Sequence, residues 1–232
     1  MPFHGPMGPA MNPFFHIMGR IPARMQRMQQ YARRFANHNK ETFLGCGHEW
    51  KASEWEAADS SHSHSSMTPF QNPHLKHAPN ARQLKHPFEM HFNGTIGAIP
   101  VTMGVPSEYA SQTFVLSKAQ KAQIQHRMTR GLHLMFQGDG HLYTLNVNTV
   151  GGVMYSYHFK TVAKRMHMEM VPWHEFEAYA DGELDPTAAP LNYRQITGLN
   201  IMISSFGGKQ VGPFSLSLRC IETFSQPMIP AQ

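Results

Sequence analysis

Along much of this chain, apolar and polar side chains alternate one for one. Leu132, Leu134 and Phe136 alternate with His133, Met135 and Gln137. After Gly138-Asp139-Gly140, Tyr143, Leu145 and Val147 alternate with Leu142, Thr144 and Asn146. Val153, Tyr155, Tyr157 and Phe159 keep the same period, and Met166, Met168 and Met170 follow. Period two marks a strand with one buried and one wet face. Gly-Asp-Gly predicts a β-hairpin between the first two runs, because glycine and aspartate tolerate the positive φ of such turns. Further on, an apolar run from Ile196 to Phe206 precedes Phe214, Leu216, Leu218 and Cys220 on one face and Ser215, Ser217 and Arg219 on the other. Gly207-Gly208 and Gly212-Pro213 lie between the two, so this pair is expected to double back and close an antiparallel sheet. Upstream, Phe88 to Gly94 reads as a strand ending in a turn, and Tyr109–Ser111 with Phe114–Leu116 as further strand. Residues 117–128 fit a short helix or a polar strand equally well. About eight short alternating strands with turns between them predict an all-β, antiparallel β-sandwich.

The N-terminus breaks the pattern. Residues 1–22 mix Pro, Gly, Met and Phe without a period and hold no core of their own. From Pro22, the residues Met25, Met28, Ala32 and Phe35 recur at helical spacing among arginines, which predicts a short basic amphipathic helix. Charge sharpens this division. The 232-residue chain has a formal net charge of +5, yet residues 1–40 carry Arg20, Arg24, Arg27, Arg33, Arg34 and Lys40 and no acid. That leaves 14 basic against 15 acidic residues for the rest, a net of −1. A near-neutral body does not suit nucleic acid, whose phosphates call for a basic folded face. The acid-free, arginine-rich arm resembles a mitochondrial presequence. It is expected to be kept and to dock along a partner protein through its five arginines. Packing on its own domain and contact with a lipid surface are the other two readings. The expected division is an arm over 1–40, a sandwich over 41–224 with a loop or insertion at 71–87, and a tail over 225–232.

Candidate chemistry is sparse. Cys46 and Cys220 are too few for a disulfide framework and are expected as thiols. No run approaches the roughly 18 apolar residues of a membrane span. His62, His64, His74 and His77 match no zinc spacing and read as a solvated polar loop. There is no phosphate-binding loop, dinucleotide fingerprint, nucleophile elbow or His-Glu-x-x-His run. Asp139 in a turn and His174-Glu175 at a corner have structural explanations, so no catalytic residue, cofactor or metal is expected. Tyr143, Tyr155, Tyr157 and Trp173 leave a choice open. Exposed along a groove they would stack on sugar rings, as in a carbohydrate-binding module, whereas buried they would make a scaffold. A third reading, RNA binding by the arm alone, predicts steep salt dependence.

Three stretches resemble the complex I intermediate-associated protein family, whose members assist assembly of mitochondrial NADH:ubiquinone oxidoreductase. Gly138, Asp139, Gly140, Tyr143, Leu145 and Asn146 match its Gly-Asp-Gly-X-X-Tyr-X-Leu-Asn motif. Pro172, Trp173 and Phe176 match a Pro-Phe/Trp-X-X-Phe corner. Ile196, Gly198, Leu199, Ile201, Ile203 and Ser204, then Gly212, Pro213, Phe214, Leu216 and Leu218, match its C-terminal signature. Trp55, Asp59 and Ser60–Ser66 are similar to the family's opening, without its glycine pair, and Phe92-Asn-Gly94 to its Phe-X-Gly strand. Just before the Pro-Trp corner, where the family usually carries a tryptophan, this chain has its Met-rich strand. The likeness is strongest over 132–222. It implies a jelly-roll of the galactose-binding type, structural roles for the motif residues, and a non-enzymatic protein bound to subunits of complex I. It also implies a mitochondrial location, on the matrix side or at the inner membrane. Retention as an accessory subunit is the expectation, and a transient assembly factor the alternative.

Overall fold

Alternation becomes strand nearly throughout the computed structural model, which describes residues 39–45, 50–70, 89–98, 108–126, 129–180 and 183–225. The predicted helix and arginines of the arm, the 71–87 loop and all of the tail except Ser225 lie outside those residues, as does Cys46. The strands are β1 (Asn39–Gly45), β2 (Trp55–Ala57), β3 (His64–Phe70), β4 (Glu89–Ile96), β5 (Tyr109–Val115), β6 (Thr129–Gln137) and β7 (Leu142–Thr149). They continue as β8 (Met154–Lys160), β9 (Met166–Pro172), β10 (Glu177–Ala180), β11 (Glu183–Leu184), β12 (Ile196–Ser204) and β13 (Gly212–Ser225). The ambiguous 117–128 stretch contains a helix, Lys118–His126. Among the described residues, one sheet runs β3-β4-β13-β6-β9, with β1 also on β13, and the other runs β11-β10-β8-β7-β12-β5-β2. Their named strand pairs are all antiparallel. The fold is therefore an antiparallel β-sandwich of the galactose-binding-like class.

Two expected hairpins are corrected. β6 and β7 flank Gly138-Asp139-Gly140 but belong to different sheets, as do β12 and β13. Both connections are corners that carry the chain from one layer to the other. Alternation tells which residues share a face; it does not tell which strand lies alongside. β7 and β8, by contrast, pair from Leu142↔Lys160 to Asn148↔Met154 around Gly151-Gly152. Gly152 has φ 77°, the conformation that such a tight turn asks of glycine.

β13 is also corrected. Phe214, Leu216 and Leu218 face the core, but the register slips between Leu218↔Phe136 and Cys220↔Met135. Arg219 is the extra residue of a β-bulge, and one extra residue turns every later side chain to the opposite face. Cys220 thus lies on the face of Met135, where it is nonetheless fully buried, while Ile221 returns to the core opposite Leu134. The bulge's carbonyl is satisfied from outside the ladder: the Trp50 indole N–H donates to Arg219 O at 3.3 Å. Trp50 is itself buried, 6.4 Å from Trp55.

The Phe-X-Gly strand does not turn at Gly94, since β4 continues to Ile96. The glycine serves close approach there, as a Cβ at Gly94 would sit 2.0 Å from His64 O. Between the layers, Phe92, Phe136 and Phe214 of one sheet meet Tyr143 and Phe159 of the other at ring separations of 4.7 to 6.5 Å. Large aromatic rings at such distances contribute beyond the area they bury.

Candidate functional site

Asp139 ties two of the sequence motifs together. Its Oδ1 accepts the His141 N–H at 3.0 Å. Its Oδ2 accepts the Tyr143 hydroxyl at 3.0 Å and the Ser215 N–H at 2.6 Å, with His141 Nδ1 at 2.9 Å. Burial pushes the carboxyl's pKa up, but the two backbone N–H groups and His141 outweigh it and hold Asp139 below the usual carboxylate range. Burial, then the Asp139 charge, drives the Tyr143 phenol far above its ordinary value. The two flanking glycines answer to one neighbour. A Cβ on Gly138 would lie 2.4 Å from the Thr161 side chain. Gly140, at φ 105°, donates to Thr161 Oγ1 at 2.9 Å. Gly212, at φ 88°, turns the chain into Pro213 and Phe214, whose ring packs 4.8 Å from Phe92. Apart from His141 Nδ1, which lies beside the carboxylate without forming a hydrogen bond, these groups are spent on one another, which describes a clasp between layers rather than a reactive centre.

The Pro172-Trp173-Phe176 corner lies at the other end of β6. Trp173 Nε1 donates to Thr129 O at 2.9 Å, and its ring lies 5.9 Å from Phe176. The motifs therefore do not form one site. Neither do the four aromatic residues proposed for sugar stacking: Tyr143, Tyr155, Tyr157 and Trp173 are all buried.

What composition and spacing did not reveal is a polar row on the outer face of the seven-stranded sheet. Register places Glu177, Ser156, Asn146, Asn200, Thr113 and Glu56 side by side across six strands. Ser156 Oγ donates to Asn146 Oδ1 at 2.6 Å, Asn146 Nδ2 to Asn200 Oδ1 at 2.9 Å, and Asn200 Nδ2 to Thr113 Oγ1 at 2.9 Å. One row away, His158 shares hydrogen bonds with the Thr144 hydroxyl at 2.9 Å and the Tyr179 hydroxyl at 3.1 Å. Asn146, read as a motif residue, is thus the hub of a buried amide chain. Only strand order brings its partners together, so the one sequence signal was that polar residues occupy this face. Asn146→Ala should lower stability by about 2 kcal/mol, because Ser156 and Asn200 lose a buried partner; urea unfolding measures it.

The serine- and histidine-rich stretch, expected as a loop, is a turn that runs into β3 at His64, and it is held by two carboxylates. Asp59 accepts Ser65 N–H and hydroxyl bonds at 2.7 Å each and the Ser111 N–H at 2.8 Å. Glu108 accepts from the Ser60 hydroxyl, the Ser63 hydroxyl at 3.1 Å and the His62 N–H at 3.2 Å. The Ser60 hydroxyl leads in lowering the Glu108 pKa. Carboxylates already filled by donors make a poor metal cradle. Among the described residues, no three His, Cys, Asp or Glu side chains converge on a common point.

A family model described as Complex I intermediate-associated protein 30 (CIA30) matches residues 82–218, more than half of the chain. No curated protein matches the sequence. Solved structures with this fold include the family 11 carbohydrate-binding module of a cellulosomal cellulase from Clostridium thermocellum. It is 9% identical at TM-score 0.54, over 81% of this chain and 95% of that one. A family 11 module from the same organism, in complex with a β-1,3-1,4-mixed-linked tetrasaccharide, is similar at 10% identity and TM-score 0.53, over 79% and 94% of the two chains. At such identity the likeness is one of fold.

Proposed function

The chain belongs to the Complex I intermediate-associated protein 30 family, and from that premise we propose that it acts on mitochondrial complex I without chemistry of its own. In this reading it is retained in the mature NADH:ubiquinone oxidoreductase as an accessory subunit. The sandwich presents a surface to neighbouring subunits, and the basic arm, through Arg20, Arg24, Arg27, Arg33 and Arg34, docks along them on the matrix side or at the inner membrane.

The observation that carries the proposal is where the motif residues are used. Asp139, Tyr143, Trp173 and Phe214 are spent on joining the two sheets and closing their ends. A sugar site needs exposed rings, and the candidate rings are interior. A scaffold acts by shape and surface complementarity, which this arrangement suits. The arm adds charge without acid, as expected of a segment that tracks an acidic or lipid surface.

Gentle solubilisation of mitochondrial membranes, native-gel separation and mass spectrometry of each band test this reading. The expected result is constant stoichiometry with active, mature complex I. Presence only in smaller subassemblies would make the chain a transient assembly factor, and absence from both would overturn the association altogether.

A further inference from the structure

Strand β9 is amphipathic the wrong way round. His167 and Glu169 stand opposite the core residues Phe136 and Leu134 and so face the interior. His167 stacks on Phe136 at 5.4 Å with the rings 7° apart, and its Nε2 accepts the Val162 N–H at 3.2 Å. Burial, then Arg165, lowers the pKa of that ring. The Tyr157 hydroxyl donates to Glu169 at 3.2 Å from the opposite sheet. The three methionines take the other face. Met166 is 38% exposed and Met168 63% exposed, with Met170 half-buried. On neighbouring β6, half-buried Met135 stands directly opposite Met168 on the same face, and Cys220 of β13, fully buried, lies opposite Met135.

Of the inward side chains of β9 only Val171 is apolar, so the strand buries little apolar area while its methionines face outward. What its outer face offers is sulfur. Residues directly opposite on antiparallel strands have Cβ atoms about 5 Å apart, and residues two apart on one strand are roughly 7 Å apart. Methionine has three rotatable bonds and a polarisable thioether, enough reach and softness to meet at a point above the sheet. Thioethers favour Cu(I) over harder cations, and being uncharged they need give up no proton to bind it. We propose that Met135, Met168 and Met170 form a shallow binding site for a soft monovalent cation, Cu(I), on the outer face of the six-stranded sheet. The site is independent of the complex I reading.

The test uses the full chain in a Cys46→Ser background, labelled at the methionine methyl carbons and kept anaerobic. Cu(I) is supplied from a chromogenic chelator that competes for it, with Ag(I) as a redox-inert check. Met135→Leu, Met168→Leu and Met170→Leu assign the three resonances. The expected result is that these resonances move together as one equivalent binds. Met168→Leu, a like-sized change at an exposed position, should then weaken binding by about tenfold or more, since even outer-shell groups can contribute that much. Three results would overturn the proposal: no copper drawn from the chelator, shifts confined to methionines of the N-terminal arm, or unchanged affinity in Met168→Leu.

Discussion

Asp139→Ala should lower the thermal midpoint by roughly 6 °C, from a loss of about 2 kcal/mol in a domain of this size. The change strands the Tyr143 hydroxyl, on a ring with no exposed surface, and the Ser215 N–H, each of which has Asp139 Oδ2 as acceptor. The buried hydroxyl left unsatisfied costs about 1–3 kcal/mol, whereas the N–H of exposed Ser215 can turn to water. Asp139→Asn should lose less, since its amide oxygen keeps one acceptor. It should also flatten the acid limb of stability. Asp139 is held below its ordinary pKa, so its charge contributes stability above the unfolded value of about 4 and loses it as the pH falls through the lower folded value. Glu108 is lowered as well, so the wild-type limb belongs to several groups and the aspartate's share is the difference between the two proteins. Thermal melts at neutral and acid pH measure both effects. Equal melts for the alanine variant and the wild type would remove Asp139 from its place as the clasp.

Gly94→Ala should destabilise by about 3 kcal/mol or more, beyond the usual range for overpacking. Its Cβ would stand 2.0 Å from His64 O and 2.8 Å from Phe214 Cζ. The first contact is with backbone, which cannot swing aside without lifting β3 from β4 at the Ser65↔Gly94 pair. Asn93→Ala is the control, being next in sequence but on the outer side, and it should cost under about 1 kcal/mol, as surface changes do. Urea midpoints of the two variants give the comparison. If Gly94→Ala matched Asn93→Ala, the close passage of β3 over this glycine would be wrong.

Much of this was legible before any coordinates, and the division between what was and was not is physical. Which face each residue of β6, β7 and β8 presents could be read from period two, because burial on one side sets the alternation. Which strands are neighbours could not, so the Gly138-Asp139-Gly140 corner read as a hairpin although it changes sheets. The end of β13 was misassigned because a bulge at Arg219 leaves no mark in a pattern of apolar letters. Trp50, the residue that satisfies that bulge, is 169 positions away. β9 was seen as alternating, but its orientation inverts the usual rule, and only its pairing with β6 tells which face is in. Asn146 was read from a motif, whereas the amide chain through Asn200 and Thr113 depends on strands far apart in sequence.

β13 lies at the end of the described chain, yet the six-stranded sheet is assembled around it. It pairs with β4 over Gly212–Leu218 and with β1 over Cys220–Ser225 along one edge, and with β6 along the other. Until it is available, β3–β4, β6–β9 and β1 have no common neighbour to hold them in one layer. Such a topology has high contact order and folds slowly, because loops of well over a hundred residues must close before their contacts are rewarded. A chain emerging in order from a ribosome therefore stays without half of its sandwich until β13 has been made. Over the same interval the edges of β4 and β6 that β13 will cover stay open, so the delay in folding is also the period in which strand edges are exposed to aggregation.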